Sequence, residues 1–400
     1  MKNKVLIITS GFAPIPAVNG GAVEKLTTKL IDLNEKQNLY DFVVYSVEDE
    51  KAKRIKYNSA KINYVPISTV ERQIERIINK ILRTIKTKRT FSIFNKKLLK
   101  KLNSDYEKYG YILFENSMDI YVSVINKYPN SKYLFHLHND LNDVSKTPQM
   151  AQVIAETAHK IIFVSDFLKN RFINLTNCQR EKCYVLYNCT DLQNNKYINI
   201  NLKNQLIKQY SIDTNKTKFL YVGRLNEEKG ILQLAQAFAS LKDNNTSLII
   251  CGGTWGNEFR RNKFFDRIVN AVDSVKQNVI FTGYLDPEKV QVLYDISDVI
   301  VIPSICNEAF GMVMLEAILQ KKPIIATRSG GMVEISPAYY DTLINNDTNV
   351  VKNLCDTMKK FVVNGDSWNR IIDEAFKQVT DDVTFDSNDY LNKFRLIIED

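Results

Sequence analysis

Residues 298–327 read DVIVIPSICNEAFGMVMLEAILQKKPIIAT. Asp298–Pro303 is a short run of β-branched residues and forms a strand, Ser304–Phe310 a loop, the stretch from Gly311 an apolar helix, and the residues after Pro323 a second strand. This is one βαβ unit with strands apolar on both faces, the mark of a parallel sheet covered by helices. Glu308 lies in the loop and Glu316 inside the helix, among Met312, Val313, Met314, Leu315, Ala317, Ile318 and Leu319. A carboxylate in such a helix faces several kcal/mol of desolvation unless it is hydrogen-bonded. A polyhydroxyl ligand would supply those bonds; an Arg or a backbone group is the alternative. Glu316 stands about 7 Å beyond the helix start, so it and Glu308 could hold different parts of one extended ligand. At the start itself Phe310, Gly311 and Met312 offer N–H groups and the positive end of the dipole to an anion.

Outward from this unit the pattern repeats. Apolar runs at Phe219–Val222, Ser247–Cys251, Val279–Thr282 and Ile324–Thr327 complete one open sheet; Val5–Thr9, Phe42–Tyr45, Ile112–Phe114, Tyr133–Leu137, Ile161–Val164 and Tyr184–Leu186 make another. The fold class is α/β, with two doubly wound Rossmann-like parallel-sheet domains, 1–195 and 205–379, and a tail, 380–400, expected to pack back on the first. The polar stretch 193–204 reads as the linker. Two such sheets bind ligands where strand carboxyl ends face a central cleft.

At those ends stand further candidates. The run VGRLNEEKG (222–230) places Gly223, Arg224 and Lys229 after a strand, where a guanidinium fork and an ammonium could neutralise a diphosphate or simply form a solvated loop. Gly20 and Gly21 precede a helix and allow a loop to pass close to phosphate or sugar oxygens. Neither a dinucleotide-binding GxGxxG nor a P-loop occurs. His136 and His138, in KYLFHLHND, share one face of a strand, and His138, nearer its carboxyl end, could bond a sugar hydroxyl or help a proton leave; core imidazoles are the alternative. No third metal ligand is evident beside them.

The 400 residues carry 54 Lys and Arg against 45 Asp and Glu, a formal +9. Residues 71–101 hold eleven basic and two acidic residues, which equals the whole excess. Ile74, Ile77, Ile78, Ile81, Leu82 and Ile85 recur there at helical spacing, and Phe91, Phe94, Leu98, Leu99 and Leu102 extend the theme. A basic amphipathic segment of this kind, 71–103, suits an anionic membrane surface; a helix packed on its own sheet with a solvated basic face is the alternative. Nucleic acid is not expected, since no base-stacking or groove-reading module accompanies the charge. Six cysteines without CxxC pairs speak against a disulfide framework or zinc module and for a cytoplasmic setting, peripheral on the inner face of the membrane if 71–103 docks. The start MKNKVLIITSG is too short in apolar residues for a signal peptide, and no apolar stretch is long enough to span a membrane.

VGRLNEEKG at 222–230 together with NEAFGMVMLEA at 307–317 resembles the retaining nucleotide-sugar glycosyltransferases of family four, which have the GT-B fold. Glu308 and Glu316 match the E-x7-E signature, RSGGMVEI (328–335) the Gly-Gly loop, and FVSDFLKNRF (163–172) and VLYNCTDL (185–192) the close of the first domain. Cys189 departs from the usual Gly after Asn. The resemblance implies that the second domain binds the nucleotide-sugar donor and the first the acceptor. Glu308 would contact the donor sugar, Glu316 the ribose, Arg224 and Lys229 the diphosphate, and Gly311–Met312 the phosphate or sugar. Phe281–Tyr284 would border the base, His138 would sit beside the sugar, and Gly20-Gly21 would line the donor–acceptor junction. It further implies catalysis without metal or cofactor, a UDP-sugar as favoured donor, and a surface glycan or lipid-linked saccharide as acceptor. Attack on the donor face from which phosphate leaves, and a covalent intermediate, both stay open. A non-catalytic partner subunit or spore-coat-like interaction protein of the same fold is the competing expectation.

Overall fold

The computed structural model describes residues 3–85, 91–141, 147–192, 199–254, 261–381 and 383–400. The chain forms two compact units, Met1–Cys189 with Ser387–Asp400, and Thr190–Asp386.

Unit 1 holds seven parallel strands: β1 (Asn3–Ile8), β2 (Tyr40–Val47), β3 (Ala60–Val65), β4 (Tyr111–Glu115), β5 (Lys132–Leu137), β6 (Lys160–Phe163) and β7 (Cys183–Val185). Their order is β3-β2-β1-β4-β5-β6-β7. Val5–Ile8 and Ile112–Phe114 are wholly buried because helices cover both faces, which is why these strands read as unbroken apolar runs. β3, the sheet edge, has only Val65 buried, and its sequence AKINYV lacks such a run; it escaped the sequence expectation for that reason. The helix Ala22–Gln37 is tied to the strand that follows it by the buried Asn34. Its amide donates to the Tyr40 carbonyl (2.9 Å) and accepts from the Leu39 and Tyr40 N–H groups (3.0 Å each), satisfying backbone at the turn.

The C-terminal helix Tyr390–Glu399 belongs to this unit and buries Tyr390, Leu391, Phe394 and Ile398 in its core. Lys160, itself buried, donates to the Ile397 carbonyl at 2.7 Å, a cation at the negative end of the helix. The chain leaves unit 1 at Cys189 and returns at Ser387, where the sequence suggested 195 and 380.

Unit 2 holds five parallel strands, β8 (Thr217–Val222), β9 (Thr246–Cys251), β10 (Val279–Gly283), β11 (Val299–Ile302) and β12 (Ile324–Ala326), in the order β10-β9-β8-β11-β12. The linker expected at 193–204 is corrected in its second part: Asn199 caps a helix, Ile200–Gln209, its side chain accepting from the Leu202 N–H at 3.1 Å. Residues 193–198 lie outside the described residues. No helix among the described residues is long and apolar enough to cross a membrane. In each sheet the strand order reverses once, between β1 and β4 and between β8 and β11, and open α/β sheets bind ligands at such points.

Candidate functional site

At the reversal in unit 2 the chain leaving β8 meets the chain leaving β11. Asn226 caps a short helical turn, Glu227–Lys229, by accepting from the Lys229 N–H at 3.2 Å. Gly230 follows at φ +64, and a Cβ there would lie 1.7 Å from the Pro303 carbonyl oxygen; only glycine lets the two segments approach so closely. Lys229 Nζ thereby reaches both carboxylate oxygens of Glu308, at 2.6 and 2.7 Å. Ser304 donates to the same carboxylate, and the Glu308 N–H donates to Ser329 Oγ at 3.0 Å. Gly330 packs against the Glu308 backbone, where a Cβ would fall 2.1 Å from its carbonyl oxygen, so the Gly-Gly loop of 328–335 holds the Glu308 loop in place. Side-chain exposures of 22% for Lys229 and 14% for Glu308 leave this pair within reach of a ligand.

Lys229 and Glu308, expected to serve phosphate and sugar separately, are thus each other's partner. Arg224 is exposed, and its guanidinium makes no hydrogen bond or ion pair among the described residues. Its carbonyl accepts from the buried Tyr221 hydroxyl at 2.7 Å, which fixes the turn, while Gly223 lies against Gly252. The helix Met312–Leu319 starts at Gly311 without a side-chain cap among the described residues, which leaves N–H groups at its positive end open to a ligand. Met312 is half-buried at that start, whereas the Phe310 side chain is buried against Phe385, with centroids 5.9 Å apart. Phe310 can serve a ligand only through its backbone. Glu316 is half-buried, and Tyr294 donates to its Oε2 at 3.0 Å. The bond that a ligand was expected to supply is therefore supplied in part by the protein. Tyr294 carried no periodicity or motif to mark it. Tyr284 is exposed just beyond β10.

Unit 1 builds a different arrangement at its own reversal. Glu115 ends β4 and pairs in register with His136 of β5. Its Oε2 lies 2.6 Å from His138 Nε2 and 3.2 Å from His136 Nδ1, with all three side chains buried. Burial alone would raise the Glu115 carboxyl, but charge and hydrogen bonds from the two imidazoles outweigh it and hold the group at about 2. Burial and the neighbouring His136 lower the His138 pKa below its usual value, so the ring is neutral at pH 7. Donor atoms of Glu115, His136 and His138 fall within 4.8 Å of one another, which supplies the third ligand that the sequence did not reveal. The 2.6 Å contact is a hydrogen-bond distance, shorter than the roughly 3.3 Å between two ligands of a tetrahedral zinc.

Gly20 and Gly21 have positive φ and precede the helix Ala22–Gln37 as expected. The buried Glu24 folds back over them: a Cβ on Gly21 would lie 2.1 Å from its Oε2, and its carboxylate accepts from the Glu24 and Ala13 N–H groups. A carboxylate already occupies that anion site, so a hydroxyl suits the loop and a phosphate does not. Burial raises the Glu24 pKa. A cavity of about 210 Å³ at the ends of β1, β4 and β5 is lined by Ser10, Asn116, Asn139 and Asp140 together with the apolar Met118 and Leu137. Glu24 and Glu115 were missed as lone acidic residues in unremarkable local sequence; only the sheet order brings them to His138.

Residues 203–378 match the family model of the glycosyl transferases group 1. The chain as a whole is similar to known transferases. It is 25% identical to the lipopolysaccharide 1,2-N-acetylglucosaminetransferase of Salmonella typhimurium, over 67% of this chain and 72% of that one. It is 23% identical to the putative glycosyltransferase YtcC of Bacillus subtilis, over 96% and 89%. Among solved structures, Anabaena HepE in complex with UDP-glucose aligns over 99% of both chains with a TM-score of 0.73 at 17% identity. These likenesses show the GT-B fold of two Rossmann-like parallel sheets, with the glycosyl transferases group 1 match confined to the second of them. The residues matched by that model span nearly the whole of unit 2, including Arg224, Lys229, Glu308, Glu316 and the Gly-Gly loop.

Proposed function

We propose that the chain is a retaining, metal-independent hexosyltransferase of family four that moves a sugar from a nucleoside-diphosphate donor, favouring UDP, to a growing bacterial surface glycan carried on lipid. The observation that carries this reading is the Lys229–Glu308 pair beside the unpaired Arg224 and the uncapped helix at Gly311. A diphosphate competes for the Lys229 ammonium with an unpaired guanidinium and a helix dipole on its side. Its arrival frees Glu308, already oriented by Ser304 and Ser329, to accept hydrogen bonds from sugar hydroxyls. Glu316, shared with Tyr294, takes the ribose, and Tyr284 borders the base.

Chemistry follows from charge. The bond from the anomeric carbon to phosphate oxygen breaks with its electron pair on the phosphate, where Arg224, Lys229 and the helix start stabilise the developing charge. The acceptor oxygen bonds to the anomeric carbon on the same face, and its proton passes to the departing phosphate oxygen. Unit 1 takes the acceptor, with Ser10, Asn116, Asn139 and Asp140 of the cavity at the ends of β1, β4 and β5 offering hydroxyl partners and the Gly20-Gly21 loop a close backbone approach. A UDP donor is supported by the HepE complex and a lipid-borne surface glycan by the name of the Salmonella relative.

A panel of UDP-, GDP- and ADP-sugars assayed for donor hydrolysis tests the reading. Turnover of at least one UDP-hexose, lost in Glu308→Ala and in Lys229→Ala, is expected; no hydrolysis or binding of any nucleotide sugar by the wild type would favour the non-catalytic partner subunit instead.

A further inference from the structure

The helix Thr69–Thr84 is joined to unit 1 by its polar side and turns its apolar side outward. Asn79 exchanges two hydrogen bonds with the Phe91 backbone at 2.8 Å each, Glu75 accepts from the Ile93 N–H at 2.8 Å, and Glu71 pairs with Lys97 at 2.7 Å. Val70, Ile74, Ile77, Ile81 and the following Ile85 are 44–66% exposed. Their spacing of four, three, four and four gathers them within about 80° of arc on the helix. The exposed Arg72, Arg76 and Lys80 form a row on the side of that arc away from the glutamates. The next helix, Ile93–Asn103, behaves in the opposite way: Phe94, Leu98 and Leu102 are buried in the unit. The two readings of 71–103 therefore divide between the two helices, and Lys86, Lys88 and Arg89 fall outside the described residues.

We propose that the helix Thr69–Thr84 docks the chain on a bilayer containing anionic phospholipid, with the isoleucine arc at the headgroup–acyl boundary and Arg72, Arg76 and Lys80 against lipid phosphates. Charge complementarity selects this occupant. A bilayer surface offers apolar depth and negative charge side by side, the combination this helix presents. A second copy of the same helix would bring like-charged rows together. The surface goes beyond the chemistry of transfer; its use in meeting a lipid-borne acceptor rests on the function proposed above.

Flotation of the full chain with phosphatidylcholine vesicles, with and without 30% phosphatidylglycerol, tests it. Binding to the anionic vesicles should exceed binding to the neutral ones at least tenfold and fall with salt. Ile74→Ser/Ile77→Ser/Ile81→Ser should reduce it at least tenfold while leaving circular dichroism and donor hydrolysis in vesicle-free buffer unchanged. Arg72→Gln/Arg76→Gln/Lys80→Gln should remove the preference for anionic lipid. Absence of wild-type binding, equal binding by the serine variant, or a dimer in sedimentation that the serine variant abolishes without any vesicle binding would overturn the proposal. Vesicle binding by a chain that hydrolyses no nucleotide sugar would leave the docking surface standing and overturn only the transferase reading.

Discussion

The two sheet reversals use the same topology and opposite electrostatics. In unit 2 the loops after β8 and β11 set an ammonium against a carboxylate, partly open to solvent, with an unpaired guanidinium and an uncapped helix nearby. In unit 1 the ends of β4 and β5 bury a carboxylate between two imidazoles, and a second carboxylate covers the neighbouring helix start. The first arrangement keeps a guanidinium and a helix start facing solvent beside an ion pair that can open, which suits an arriving polyanion. The second has its helix start already covered by a carboxylate, and the nearby cavity, with Ser10, Asn116, Asn139 and Asp140 set among apolar residues, suits hydroxyl groups. On the function proposed above, a shared fold would separate a charged ligand from a neutral one by what each switch point does with its carboxylates.

The largest expected effect falls on unit 2. Lys229→Ala should lower donor turnover about 10²–10³-fold, the scale of losing one donor to a developing oxyanion. An unchanged kcat would leave unit 2 no more anion-directed than unit 1. Next in size, Glu115→Ala in unit 1 strips the acceptor from two buried imidazoles and should cost about 3 kcal/mol in urea unfolding, with the cost confined to unit 1 by hydrogen exchange. Loss of donor binding without loss of stability would make Glu115 part of the ligand site instead.

The same cluster makes unit 1 the more acid-sensitive half. His138 has a lowered folded pKa, so the stability it contributes is full above the ordinary value of 6.5 and is lost as pH falls through its folded value. Glu115 behaves likewise lower down, present above 4.5 and lost toward about 2. Exchange protection in unit 1 should therefore fall as pH drops below 6.5 while that of unit 2 holds, and His138→Gln should flatten the change. A smaller effect is expected for Gly230→Ala, which places a Cβ on the Pro303 carbonyl at positive φ; about 1–3 kcal/mol of stability and part of the donor turnover should go together. Smallest of all, Tyr294→Phe removes one hydroxyl from Glu316 and should raise the donor KM about three- to tenfold with kcat little changed. A kcat effect in place of a KM effect would move Glu316 closer to the reacting atoms.

The sequence carried the strands whose neighbours bury them on both sides, because burial on two faces writes itself as a continuous apolar run. It missed β3, an edge strand with a mixed pattern. It singled out Arg224, Lys229, Glu308 and Glu316 as candidates because those residues lie in local motifs, each next to a strand end or helix start that spacing identifies. It assigned Lys229 and Glu308 to different parts of a ligand, since residues seventy-nine positions apart give no sign that they touch. Glu24, Glu115 and Tyr294 left no local trace.

What the chain order determined alone was the α/β class, the two series of strands, the concentration of the positive charge in 71–101, and the motif residues of unit 2: all follow from periodicity and short spacing. Only the tertiary structure decided that Lys229 holds Glu308, that Glu115 holds His138, that Glu24 covers Gly21, and that Ile74, Ile77, Ile81 and Ile85 face outward while Phe94 and Leu98 face in. The physical reason is that an amphipathic helix has one apolar face whatever it packs against, and a carboxylate has the same letter whether water, an imidazole or an ammonium stands beside it; the partner is chosen by strand order and turn geometry.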